Sequence, residues 1–147
     1  MKRKSALVSA ILLAAVFIPL SACGYSAVLM ANWGFSLPNG AGCTEIYSSN
    51  SGSSPHGDGI RYHTFSYESE DSIEEMFAWS SVESELIFYA SYSETVEEWL
   101  GRIAVPDEYR PNIGECVYHY ERQDGNDEIL VFWNSGENRL YVLESFL

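Results

Sequence analysis

Three histidines carry most of the chemistry that this sequence could perform. His56 and Asp58 flank a glycine in the run Pro55-His56-Gly57-Asp58-Gly59, and a glycine-rich loop lets such side chains converge on a metal or a reacting group. His63 and His119 complete the inventory. Should their strands be neighbours, His56, Asp58, His63 and His119 gather at one end of a sheet. Imidazole and carboxylate together bind a transition metal or act as acid–base partners. The same Asp58-Gly59 pair is also what a plain hairpin turn needs, and strand histidines are more often hydrogen-bonded structural residues.

Other catalytic patterns are absent. The chain has no H-E-x-x-H helix, no G-x-S-x-G elbow and no phosphate-cradling glycine loop. Its acidic neighbours, Glu74–Glu75, Glu97–Glu98 and Asp127–Glu128, are typical of solvated faces, and no cofactor is implied. A second group with binding potential is aromatic: Tyr62, Tyr118, Tyr120 and Trp133, with Tyr67 and Tyr141, on four expected strands. On a sheet face without helices they would form an amphipathic surface of the kind favoured at interfaces. Packed in the core, they would simply be good strand formers.

The elements that position these residues follow from periodicity and turn signals. Gly24 to Met30 reads as a short connector or first strand, and Asn32 to Leu37 as a strand stopped by Pro38-Asn39-Gly40. Cys43 to Tyr47 and Ile60 to Tyr67 read as strands around a loop of turn formers from Ser48 to Gly59. Ser72 with Glu75, and Thr95 with Glu98, fit capping boxes ahead of apolar residues at helical spacing. The second helix carries Val96, Trp99, Leu100 and Ile103 on one face. Leu86 to Tyr92 suits either helix or strand.

Three strands close the chain: Cys116 to Arg122, Glu128 to Asn134 and Arg139 to Phe146. Asp124-Gly125 reads as a two-residue type I′ turn. That register sets Arg122 opposite Asp127, Tyr118 opposite Val131 and, at a mild cost, Glu121 opposite Glu128. Ile129 to Trp133 is apolar on both alternating faces and is expected in the middle of the sheet. The fold class is α+β: an antiparallel sheet of five or six strands, two or three helices inserted mid-chain, and a C-terminal three-stranded meander.

Composition bounds the function. The 147 residues carry 21 acids against eight Lys and Arg, a net charge of −13, with 46% apolar and 14% aromatic residues. One domain with a true core is expected, and a wholly disordered acidic tail is excluded. Nucleic-acid binding is disfavoured, because that affinity comes from clustered Lys and Arg.

The first residues read as an address. Lys2, Arg3 and Lys4 precede the mostly apolar segment Ala6 to Leu20, which is shorter than the roughly 20 residues of a membrane-spanning helix and matches a secretory signal. Leu20-Ser21-Ala22-Cys23 resembles the lipobox of bacterial lipoproteins. The resemblance implies diacylglyceryl transfer to the Cys23 thiol and cleavage before Cys23, so that residues 1–22 are signal, 23–31 a lipidated N-terminus and connector, and 32–147 the domain. It places the protein at the bacterial cell envelope, anchored by lipid on the extracytoplasmic side.

Processing removes every lysine. Five arginines then stand against 21 acids, a net −16, which suits a lipid-anchored binding or inhibitory module for a basic protein or peptide. The alternative is an envelope enzyme or metal-dependent protein using His56 and Asp58 with His63 or His119. Two further cysteines, Cys43 and Cys116, form an even pair in an exported chain, and one disulfide is expected. Closing that long loop would stabilise the fold by roughly 4 kcal/mol. The alternative is two buried free thiols.

Overall fold

A computed structural model describes residues 22–38, 42–52, 57–81 and 92–147. The elements, in chain order, are α1 (Ala22–Trp33), β1 (Thr44–Asn50), β2 (Gly59–Ser66), α2 (Asp71–Glu74), β3 (Ser80–Ser81), α3 (Ser93–Arg102), β4 (Val117–Arg122), β5 (Glu128–Asn134) and β6 (Arg139–Phe146), with two 3₁₀ turns between α3 and β4. The six strands form one antiparallel sheet in the order β1-β2-β6-β5-β4-β3. This is the α+β fold expected, with the meander β4-β5-β6 at its C-terminal end.

The sheet is covered on both faces. Against one face pack α1 and the segment around α2, burying Leu29, Trp33, Leu37, Ile73, Phe65, Val131 and Val142. Against the other lie α3 and the chain that follows it, burying Val96, Trp99, Leu100, Val105, Tyr62, Leu130, Phe132 and Leu143. Strands β2, β4, β5 and β6 divide their residues between the two clusters with period two. Hence β5, buried along almost its whole length, reads as apolar at every position from Ile129 to Trp133.

The stretch taken from sequence as a connector and a strand (24–30 and 32–37) is instead helix α1 and an extended exit. Ala27, Leu29, Met30 and Ala31 are strong helix formers. Gly34, at φ 77°, accepts the left-handed conformation that ends a helix, and its N–H bonds the Met30 carbonyl at 3.1 Å. The Ser26 hydroxyl accepts the Leu37 N–H at 3.0 Å, tying the exit back along the helix.

The capping boxes are not formed. At α2 the cap position is Glu70, without a side-chain bond, and the helix lasts one turn. The Ile73 carbonyl accepts the Met76 N–H at 3.1 Å, a tightened last turn, and Trp79 Nε1 of the returning chain at 3.0 Å. At α3 the helix begins at Ser93, which puts Thr95 inside the first turn. Its buried face is nonetheless the expected one: Val96, Trp99, Leu100 and Ile103. Residues 82–90 and 91 lie outside the described residues, so the Leu86–Tyr92 stretch does too, apart from Tyr92.

The β4–β5 register is one residue away from the expected one. Arg122 faces Glu128, Glu121 faces Ile129 and Tyr118 faces Phe132. The reason lies in the turn. Gly125 keeps a negative φ while Asn126 takes φ 68°, and Asn126 N–H bonds the Gln123 carbonyl at 3.0 Å. The loop therefore spends three residues, a β-turn followed by one left-handed residue. The shift replaces a Glu–Glu pair by Arg122 and Glu128, 3.7 Å apart. It also decides which β4 side chains go to which face: Tyr118 joins the α3 side, and Val117 and His119 turn to the α1 side.

Candidate functional site

Among the described residues, His63 and His119 do not meet. His56 lies outside the described residues. Asp58 is exposed at the mouth of β2. His63 sits on β2 and His119 on β4, and these strands are separated by β6 and β5. The register places His63, Val142, Val131 and His119 in one row on one face. Three strand spacings put the two imidazoles about 14 Å apart. Among the described residues no group of three or more His, Cys, Asp or Glu side chains could hold a metal ion.

Asp58 lines a depression of about 210 Å³ with Ser51, Gly57 and Arg61. Gly59, at φ 130°, is required there: a Cβ would fall 2.2 Å from Ser51 Oγ. That hydroxyl accepts the Ile60 N–H at 2.9 Å. The glycine thus closes a hairpin, and Arg61 folds over the Phe146 ring at 4.4 Å.

A connected set of polar side chains lies instead beneath α1. Glu144, on β6, is 0% exposed, and a buried carboxylate must be bonded to be tolerated. It accepts the Trp33 indole N–H at 2.7 Å and the Tyr25 hydroxyl in a short bond. Both donors come from α1, eight residues apart. Arg61 stands directly opposite Glu144 in the β2–β6 register. Burial first, and then Glu144, raise the Tyr25 hydroxyl well above the usual tyrosine pKa, so it remains a donor.

Next to this knot, His63 stacks on the Tyr25 ring at 3.6 Å between centroids, and its Nδ1 lies 2.5 Å from Glu45 Oε1. A bulge between Glu45 and Tyr47 makes this possible. Two residues apart, they would share a face in a regular strand. Instead Glu45 meets His63 below α1, and Tyr47 stacks on Tyr109 at 4.5 Å on the α3 side. A carboxylate–imidazole pair is half of a general-base arrangement. The other half is missing: no hydroxyl or thiol among the described residues bonds His63 Nε2. The set holds a helix in place.

Sequence reasoning missed Glu144, Tyr25, Trp33 and Glu45. The detectable signal was a lone acid inside a strand, Leu143-Glu144-Ser145, on the face that β6 otherwise fills with Leu140 and Val142. His119 has a different setting. Its ring lies flat on Phe77, 4.0 Å between centroids, and burial lowers its pKa below 6.5 against the opposing pull of Glu121.

The aromatic candidates are interior. Tyr62, Tyr118 and Trp133 are buried, and Tyr120 is half-buried, its hydroxyl 3.0 Å from Glu128 Oε1. Both sheet faces carry helices, so the open aromatic face does not arise. One member meets open space: Trp133 lines a recess of about 310 Å³ with Trp79, Val117, Ser135 and the exposed acids Glu74 and Glu115.

The expected disulfide is corrected: Cys43 and Cys116 are free. Cys43 packs with the α1 cluster and Cys116 with the α3 cluster, so the sheet lies between them. Cys116 Sγ lies 3.2 Å from the Asn112 carbonyl, and burial pushes its thiol pKa up to about 12. A thiol of that kind is inert. No protein-family model, no curated protein and no solved structure matches this chain.

Proposed function

We propose that this chain is an exported lipoprotein, anchored through Cys23, whose acidic domain binds a basic protein or peptide at the cell envelope. The anchor rests on the ordered cationic start, apolar run and Leu20-Ser21-Ala22-Cys23. The free cysteines remove the disulfide as an argument for export, and the signal carries it alone. Two acyl chains on one thiol give the two-signal anchoring that a single chain lacks.

The observation that carries the partner chemistry is the recess lined by Trp79 and Trp133 beside Glu74 and Glu115. An aromatic wall next to carboxylates suits a lysine or arginine side chain, whose stem packs on the rings while its charge is neutralised. Charge balance supports the same partner class: Glu94, Glu97 and Glu98 on α3 and Asp107 and Glu108 after it are all exposed, so long-range attraction would speed the encounter.

Cys23→Ser should accumulate unprocessed precursor without lipid label. A variant still processed and labelled would overturn the anchor. For the partner, Trp79→Ala and Glu115→Gln should each weaken capture of basic peptides, and salt should weaken it in the parent. Capture that neither substitutions nor salt reduce would count against the binding reading.

A further inference from the structure

We propose that the outer face of α1 docks on the lipid surface, so that the domain lies down on its membrane instead of hanging from it; this rests on the reading of Cys23 as the anchor. From Gly24 to Thr44 the chain contains no Asp, Glu, Lys or Arg, while all 21 acids come later. One part of a strongly acidic protein is therefore neutral, and it begins one residue after the anchor.

The helix itself carries no charge and is largely apolar, with Tyr25, Ser26 and Asn32 as its polar side chains. Its inward side carries Leu29 and Trp33, both buried, with Tyr25 against Glu144. Its outward side carries Gly24, Ala27, Val28 and Ala31, all exposed, with Val28 at 38% and Met30 at 49%. A helix with apolar residues on both its inward and outward sides belongs inside a protein or against lipid. Twelve residues cannot cross a bilayer, and no helix among the described residues is long and apolar enough to do so. A helix of this length can lie in the interface.

Electrostatics fit the same orientation. The acids on the α1 face of the sheet are already occupied, Glu144 by Tyr25 and Trp33, Glu45 by His63, and Glu121 by His119 at 3.8 Å. Asp71, Glu74 and Glu75 are exposed in the same layer, beyond the C-terminal end of α1, where Phe35 packs edge-on to Phe77 at 4.9 Å. Pressing those carboxylates into lipid would strip their water at high cost. The N-terminal half of α1 must then sit deepest, with contact fading toward Ala31.

The full chain, produced with its own signal and reconstituted in phosphatidylcholine vesicles, provides the test. An environment-sensitive fluorophore is placed at Ala27→Cys, Ala31→Cys or the exposed α3 site Glu98→Cys in a Cys43→Ala background, and mass spectrometry of the N-terminal peptide reports lipid on Cys23. Quenching by aqueous iodide should be several-fold weaker at 27 than at 98, with 31 in between, and nitroxide lipids should quench in the reverse order. Adding Ala27→Glu should raise iodide quenching at 31. Equal quenching at all three sites in lipidated protein overturns docking and leaves the anchor standing. An unlipidated N-terminal peptide overturns the anchor, and with it the docking that rests on it.

Discussion

The two helices that cover the sheet are held by different means. On one face α3 lays an apolar stripe, Val96, Trp99, Leu100 and Ile103, into a cluster made almost wholly of hydrocarbon and rings. On the other, α1 has no stripe, since its apolar residues surround it, and its rotation is fixed by Tyr25 and Trp33 converging on Glu144. Non-directional burial allows a helix to slide and roll at small cost. Two hydrogen bonds to one buried carboxylate do not. A helix with no single apolar stripe needs a polar pin to choose the side it buries.

The largest effect expected from breaking this contrast is at the pin. Glu144→Ala leaves the Trp33 N–H and Tyr25 hydroxyl without their acceptor, and at about 1–3 kcal/mol for each orphaned donor should cost about 2–6 kcal/mol. Hydrogen exchange should show α1 released before the rest of the sheet. Leu100→Ala, by comparison, should cost about 2–5 kcal/mol through a cavity, and denaturant melts should show the whole domain losing stability together. If both variants unfold α1 and α3 in the same step with the same cost, the distinction between the faces fails.

A smaller effect concerns how the two helices stop. Gly34 ends α1 at φ 77°, whereas Ala104 ends α3 at φ 51°, with Val105 N–H bonded to the Leu100 carbonyl at 3.0 Å and Ala104 N–H to Gly101 at 3.1 Å. This is the glycine-favouring end motif occupied by alanine. Ala104→Gly should therefore stabilise the fold by up to about 1 kcal/mol, and Gly34→Ala should destabilise it by about the same amount. Thermal melts of the two variants should move in opposite directions.

The smallest effect is a proton. On the α1 side His119 lies on Phe77 with its pKa below 6.5. The unfolded chain then binds the proton more readily, so His119 favours folding above pH 6.5 and this contribution is lost as the pH falls through the unfolded value toward the folded one. His119→Gln should flatten the stability profile below pH 6.5, as read from denaturant midpoints. A parallel profile in the variant would remove His119 as the cause.

The legible parts of the sequence were those governed by local pattern. β4, β5 and β6 stand within one residue of their expected ends, and β2 likewise. The inward face of α3 follows from four apolar residues at helical spacing. Illegible were the contacts that join distant segments. Tyr25 and Glu144 are 119 residues apart, Trp33 and Glu144 111, and nothing in Gly24–Leu37 marks them as partners. The missed helix shows the same limit: Asn32 to Leu37 alternates like a strand, yet its first two residues are the last of α1, and only Gly34 in its left-handed conformation marks where the helix stops.

The sequence by itself determined the sheet, the stripe of α3, the acidity of everything beyond Thr44 and the lipobox-like run before the domain. Each is a property of neighbouring residues, set by period, turn chemistry or charge count. The tertiary structure alone decided that His63 and His119 stand apart, that Cys43 and Cys116 lie on opposite sides of the sheet, and that Asn126 spends a third turn residue and so sends Tyr118 and His119 to their respective faces. It also decided that a carboxylate near the end of the chain fixes the helix that begins the domain. Those outcomes depend on strand order and register, which pair residues by position in space, and no local window of sequence contains both members of such a pair.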